Sequence, residues 1–395
     1  MPGVAATVDQ TEGVSPSDGS PPLLRSFLIG TIGAALFAAI FGLKLGGVAW
    51  FLHLGHNFQP NIDLARRLFG PGVVIPHIVG HDGQYFWVLA RDPLLLHGHA
   101  DRLLLDRPSY RAQRIAYPLL ASPWRLLGER GLLWGLVITN VVIVGFGTEE
   151  TVRLARLIGA PDRAALLFGV SPTVAVALIG DLSDALAVLA IVVGIRLVLE
   201  GRAVGAAIAF TIACLAREAS LTVVAAVMFA SPGTFSTRLR DWLPAAGPLR
   251  GSARWLVAAV PVIAVVAWGV YARWRLGWPP NSIQEFTWPA MGYLKVWRLK
   301  WIHLRGVSDA LFSIVMWVML VWLAIRWVRR PTVIRAAALA PCLLVPFYTP
   351  QVVSISLNSL RALGPAFTLF GVDLYADAMA RRAVRARPAV PTGSP

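Results

Sequence analysis

The sequence predicts an all-α, polytopic helical membrane protein with about ten transmembrane helices and a large first extracytoplasmic loop carrying short interfacial helices. Three observations lead there. Of 395 residues, 56% are hydrophobic and only 14% are charged, too little polar surface for a water-soluble chain of this size. The apolar residues gather into runs about as long as needed to cross roughly 30 Å of hydrocarbon. The basic residues, 36 Lys+Arg against 21 Asp+Glu, cluster between those runs, as topology signals do, and not along one solvated face. No nucleic-acid partner is expected.

Taken in order, residues 1–22 are rich in Pro, Ser, Gly and Asp, lack periodicity and carry no basic start of a cleaved signal peptide, so a disordered cytoplasmic tail is expected. A single transmembrane domain over 23–378 follows, then a basic disordered cytoplasmic tail over 379–395. Leu23 to Leu43 is the first span, flanked by Arg25 and Lys44. Nothing in the large extracytoplasmic loop, 44–130, is long and apolar enough to cross, although Gly47–Leu54, Tyr85–Leu89 and Ile115–Leu127 read as short or interfacial helices. A loop of this length in a compact protein is usually functional.

Leu132 to Gly147 is the second span, and Arg153, Arg156 and Arg163 after it put that end in the cytoplasm and the large loop outside. Spans over Ala164–Ile179 and Ala185–Leu199 are joined by Gly180-Asp181-Leu182-Ser183-Asp184 at the outer face. Val204 to Ala230 is apolar except at Arg217-Glu218, consistent with one long span holding a buried ion pair or two short helices broken there. The break is preferred because it places Arg238, Arg240, Arg250 and Arg254 inside. Trp255–Trp274 is the next span. A second extracytoplasmic loop, 277–303, follows with Trp278, Trp288, Trp297 and Trp301, and Leu294, Trp297, Trp301 and Leu304 alternate helically with Lys295, Arg298 and Lys300. That pattern fits a helix in the membrane interface, either an aromatic belt or a platform for a lipid-borne anionic substrate. Val307–Trp327, Val333–Thr349 and Ala362–Tyr375 complete the crossings, with both ends cytoplasmic. No internal repeat is visible.

The chemistry centres on His81-Asp82-Gly83-Gln84-Tyr85-Phe86, a polar motif in a very hydrophobic chain. Asp82 reads either as a catalytic carboxylate or as the N-cap of a short amphipathic helix that ends at Asp92-Pro93. Asp181 and Asp184 read likewise as caps of the Ala185–Leu199 span, with a substrate role as the alternative for Asp184. Six of the seven histidines lie in the first loop, but no pair has a metal-binding spacing with a carboxylate partner, so no metal is expected. Cys214 and Cys342 sit inside apolar runs and read as packing residues.

Five stretches carry a family resemblance. His81-Asp82-Gly83-Gln84-Tyr85, Arg114-Ile115-Ala116-Tyr117-Pro118-Leu119-Leu120, Leu182-Ser183-Asp184, Ala216-Arg217-Glu218 and Asn358-Ser359-Leu360-Arg361 with Pro365 and Phe367 follow one another in this order. In that order they resemble motifs of GT-C superfamily glycosyltransferases, in particular the GPI-anchor second-mannose transferases and their bacterial relatives. Two departures stand out: His81 occupies a position where those proteins carry Trp, and Glu218 one where they carry Pro. The resemblance implies inverting transfer of a sugar, mannose favoured, from a polyprenyl-phosphate donor to a glycan or glycolipid acceptor hydroxyl at the outer face of the plasma membrane. It implies Asp82 as the catalytic base, with His81, Gln84, Tyr85, Arg114, Asp184, Arg217 and Arg361 binding substrate. The lipid-linked sugar is then a co-substrate, with no cofactor. Two other classes remain open, a transporter or flippase of a lipid-linked sugar or anionic lipid and a non-catalytic envelope-assembly protein.

Overall fold

The computed structural model describes residues 23–385 apart from 46, 76, 79, 231–252, 278–286, 301–303 and 354–355. Among the described residues every regular element is a helix. This follows from the long apolar runs, because in a medium without water a backbone satisfies its own hydrogen bonds most simply as a helix.

Four helices are long and apolar enough to cross a membrane: Leu24–Lys44, Ala116–Leu157, Ala253–Leu276 and Leu311–Arg329. The pair Asp162–Gly169 and Pro172–Gly180, bent by 42° at its break, makes a fifth if counted as one. Of the about ten expected spans, four therefore have the required length, or five with the bent pair. The helix Asp184–Leu199 has 16 residues, about 24 Å at roughly 1.5 Å per residue. Ala203–Ala216, Glu218–Ala230 and Val333–Phe347 are also short apolar helices. Asp184–Leu199 ends at Glu200, Ala203–Ala216 ends at Arg217, and Glu218–Ala230 begins directly after it.

The last helix runs over Gly364–Arg385, so 379–385 is helical where a disordered tail was expected. Asp373 and Asp377 pin its middle, accepting from Arg326 Nη2 at 2.6 Å each and from Arg335 at 3.0 and 2.8 Å. The alanines and arginines beyond them are strong helix formers and carry the helix on. The expected tail residues 1–22 and 386–395, together with Arg238, Arg240, Arg250, Trp278 and Trp301, lie outside the described residues.

Leu23–Leu45 packs along Gly128–Leu157. The two backbones approach so closely that a Cβ on Gly30 would lie 2.5 Å from Thr148 Oγ1, and one on Gly145 would lie 2.1 Å from Thr31 Oγ1.

The first loop is not a loose excursion. It folds into the short helices Val48–Leu52, Gln59–Phe69, Gly83–Arg91, Gly98–Leu103, Pro108–Ala112 and Ala116–Ala121. Gly83–Arg91 departs from the amphipathic reading, since every residue from Gly83 to Ala90 is buried. Its Tyr85, Phe86, Trp87 and Leu89 join Phe51, Leu52 and Tyr117 in a core continuous with the long helices. Only nine residues long, it is covered on every side by other short helices and by Gly128–Leu157. From beyond, Ala253–Leu276 fastens the loop through Trp268 Nε1 to Ala112 O (2.6 Å), Tyr271 Oη to Leu94 O (2.6 Å) and Arg275, whose Nε donates to Leu95 O (2.8 Å) and whose Nη2 donates to Leu96 O. A helix is present over Met291–Lys300, within the stretch where an interfacial helix was expected, with Trp288 before it 81% exposed.

Candidate active site

Backbone turns bring the five motifs to one place. Gly83 opens its helix against the turn that follows Pro172–Gly180; a Cβ there would lie 2.4 Å from Gly180 O and 3.0 Å from Phe51 O. Only glycine permits that approach. Asp181 caps Pro172–Gly180 in the left-handed region at φ 49°, and the chain reverses within three residues into Asp184–Leu199. Thr173 Oγ1 donates to Leu360 O at 2.5 Å, tying the short helix Ser356–Ala362, which carries Arg361, to the same unit. Arg217 is extended, at φ −155° and ψ 116°, between Ala203–Ala216 and the turn Glu218–Ser220, so the apolar stretch does break there.

At the centre lies Asp82. It precedes its helix, yet its carboxylate makes no capping hydrogen bond. Arg361 Nη2 donates to its Oδ2 at 2.7 Å, Arg114 Nη1 to the same oxygen at 3.2 Å, and Arg111 Nη1 to Oδ1. The chain of charges continues outward. Arg361 Nε donates to Asp184 Oδ2 at 2.9 Å, and the other oxygen of Asp184 pairs with Arg217. Arg114 forks onto Glu218 at 2.9 and 2.7 Å and reaches the hydroxyl of Tyr110. Arg217 and Glu218 thus pair with Asp184 and Arg114 instead of forming a simple pair with each other. Asp184 is no helix cap either; its carboxylate, 1% exposed, serves two arginines.

Charge compensation is what allows so many ions to sit together out of water. Burial works against ionisation of Asp82, but Arg361, Arg111 and Arg114 outweigh it and hold the carboxyl well below the usual carboxylate range. It is an anion at any physiological pH. A carboxylate so well satisfied is also a weak base until a guanidinium leaves it.

Of the residues singled out from sequence, Asp82, Arg114, Asp184, Arg217 and Arg361 converge. Gln84 and Tyr85 are placed differently. Gln84 is fully buried and accepts from Asn61 Nδ2 at 3.4 Å, because its position in the helix turns it into the loop core. Tyr85 is 1% exposed, with its ring beneath the Arg111 guanidinium (4.3 Å) and edge-on to Phe58, so that face is not open to a sugar. His81 stands beside the network and meets His53 and His77 edge to face, with centroids 5.2 and 5.7 Å apart. His53 and His77 stack at 4.4 Å. Burial, with His77 and His81 alongside, pushes His53 down to about 3, so its ring is neutral and Nε2–H donates to Ile179 O at 3.0 Å. Among the described residues no group of three or more His, Cys, Asp or Glu is arranged to hold a metal ion.

Sequence reasoning missed Arg111, Asp106 and Tyr110. Arg111 forks onto Asp106 at 2.8 and 3.0 Å while also reaching Asp82. The usable signal was the i, i+3 spacing of Arg111 and Arg114 with Tyr110 beside them, which a chain this rich in arginine conceals.

No family model, curated protein or solved structure matches the chain.

Proposed function

We propose that the protein is an inverting glycosyltransferase that moves a sugar, mannose favoured, from a polyprenyl-phosphate donor to a hydroxyl of a glycan or glycolipid acceptor. The observation carrying this reading is the buried chain Asp82–Arg361–Asp184–Arg217, assembled from four separate stretches. It supplies the two groups the reaction needs, a carboxylate for the acceptor proton and guanidiniums for the phosphate that leaves. Arg361 and Arg217 are held by carboxylates, and a phosphate competes for the same fork of N–H donors with more charge. As donor binds, Arg361 turns from Asp82 toward the phosphate. Asp82 loses part of its compensation and becomes a stronger base at the moment it is needed.

In this reading the chain is a multi-pass protein of the plasma membrane with about ten crossings, short helices and broken pairs included. Both ends lie in the cytoplasm, the site faces outside, and membrane lipids surround it. The lipid-linked sugar is a co-substrate and no cofactor takes part. A cysteine at Ala219, beside Arg217, then labels from outside; the native Cys214 and Cys342 are buried and do not compete.

The test is Asp82→Asn with expression and membrane insertion verified. The unaltered protein should transfer sugar from polyprenyl-phosphate mannose and Asp82→Asn should lose it almost completely; no transfer by the unaltered protein would sink the proposal, and retained transfer in the variant would remove Asp82 as the base. The helix break at Arg217 favours a second reading, a flippase for the same lipid, because transporters place such breaks at their binding sites. Proteoliposomes that move the lipid-linked sugar between leaflets without transferring it would select that alternative.

A further inference from the structure

The two oxygens of Asp82 are not equivalent. Oδ2 receives Arg361 at 2.7 Å and Arg114 at 3.2 Å, and both of those arginines also hold carboxylates on the helical bundle, Asp184 and Glu218. Oδ1 receives Arg111, whose other anchors lie entirely within the first loop. Its Nε and Nη2 fork onto Asp106 at 2.8 and 3.0 Å, and its guanidinium carbon sits 4.3 Å from the centre of the Tyr85 ring and 5.4 Å from that of Tyr110. A guanidinium gripped by a bidentate carboxylate and flattened on aromatic rings has little freedom to follow an incoming anion.

We propose that Arg111 is a positioning residue that pins Oδ1 of Asp82, so that Oδ2 is the atom that takes the acceptor proton once Arg361 turns to the donor phosphate. This rests on the glycosyltransfer reading. In the step itself the acceptor O–H proton passes to Oδ2 and the acceptor oxygen bonds to the anomeric carbon. The bond from that carbon to the phosphate oxygen breaks with its electron pair staying on the phosphate, which Arg361 and Arg217 hold. Arg111 touches neither reacting sugar; it acts through Asp82. The charged and titratable groups facing Asp82 are Arg111, Arg114 and Arg361, with His81 adjacent in the chain and Tyr85 within the same helix, while Asp106, Asp184 and Glu218 stand behind the arginines.

The experiment has two readouts on purified full-length protein. Infrared pH titration follows the protonated-carboxyl band that disappears in Asp82→Asn. Arg111→Met should move its midpoint up by roughly one to three pH units, the usual influence of one adjacent arginine on a carboxyl. Arg111→Lys, which keeps the charge, should return most of that shift. Transfer kinetics with farnesyl-phosphoryl mannose as donor and octyl mannoside as acceptor should show kcat falling at least tenfold in Arg111→Met, with KM for the donor unchanged. An unmoved midpoint overturns the proposal, and so does a raised donor KM, which would make Arg111 a phosphate ligand. Asp106→Asn loosens the fork and leaves the charge in place, so it should lower kcat with little movement of the midpoint; unchanged kcat there also counts against the assignment. If the midpoint shifts as stated while the unaltered protein transfers no sugar, the glycosyltransfer reading fails and the electrostatic role of Arg111 stands apart from it; if Asp82→Asn still transfers sugar, Asp82 is not the base and the proposal for Oδ2 falls.

Discussion

Replacing Asp184 with alanine isolates the cost of the charge network. Asp184 is 1% exposed and pairs with Arg361, 8% exposed, and Arg217, 16% exposed. Arg361 keeps Asp82 when Asp184 is gone, whereas Arg217 loses the carboxylate it is paired with. At an effective dielectric of about 20, two unit charges roughly 4 Å apart interact by about 4 kcal/mol. Stranding one member of a buried pair costs about 3–5 kcal/mol in proteins generally, and the partial exposure of Arg217 points to the lower end. Asp184→Ala should therefore lose about 3 kcal/mol. Arg217→Ala should lose less, about 1–2 kcal/mol, because Asp184 retains Arg361. The double variant removes the stranded charge together with its partner and should cost no more than Asp184→Ala alone, leaving a coupling of at least about 1 kcal/mol. Reversible unfolding in mixed micelles, followed by tryptophan fluorescence, measures all three. Effects that add to within about 0.5 kcal/mol would mean that the pair is not coupled and that the network does not hold these helix ends together.

Three further outcomes follow from the same geometry. Gly83→Ala places a methyl carbon 2.4 Å from the carbonyl oxygen of Gly180, a backbone atom that cannot swing aside, so unfolding measurements should show a loss of about 1–3 kcal/mol. Sugar transfer should fall with it as Asp82 and Asp184 separate, and wild-type behaviour in both assays would refute the close contact. Asp101 is raised to about 6, by burial first and then by neighbouring Asp92. A carboxyl with a folded pKa above its unfolded value near 4 stabilises fully below about pH 4 and loses that contribution as pH rises through about 6. Asp101→Asn should thus be more stable than wild type by about 2 kcal/mol at pH 8 and equal to it at pH 4, and a pH-independent difference would refute the burial argument. His53 has the opposite sign: its pKa is depressed to about 3, so its contribution is whole above about pH 6.5 and is lost as pH falls toward 3. His53→Gln, which keeps a donor for Ile179 O, should flatten the acid side of the stability profile; an unchanged acid slope would assign the proton uptake elsewhere.

The alternation of apolar runs and basic clusters determined by itself that the chain is helical, with segments long and apolar enough to cross a membrane, and it placed the boundaries of Leu23–Leu45 and Ala253–Leu276 within a few residues. Those features are local, since a run of apolar residues has one economical conformation in hydrocarbon whatever surrounds it. The break at Arg217-Glu218 was also legible, because a topology argument needs only charge order. The family resemblance carried by the five motifs likewise pointed to Asp82, Arg114, Asp184, Arg217 and Arg361. Pairing was different. Whether Asp82 caps a helix or binds arginines depends on residues about 30 and 279 positions away, and no periodicity reports that. The same holds for Arg217 and Glu218, adjacent in the chain yet bound to different partners, and for Tyr85, whose amphipathic-looking helix is buried on every side. Helix length in the bundle was a tertiary outcome too: Asp184–Leu199 and Ala203–Ala216 stop short of a full crossing because their ends are taken up by the ion network and by packing against neighbouring helices. Apolar patterning selects where a segment is buried, but the partner that compensates a buried charge is set only when distant segments meet, because the interaction falls off within a few ångströms and carries no trace along the chain.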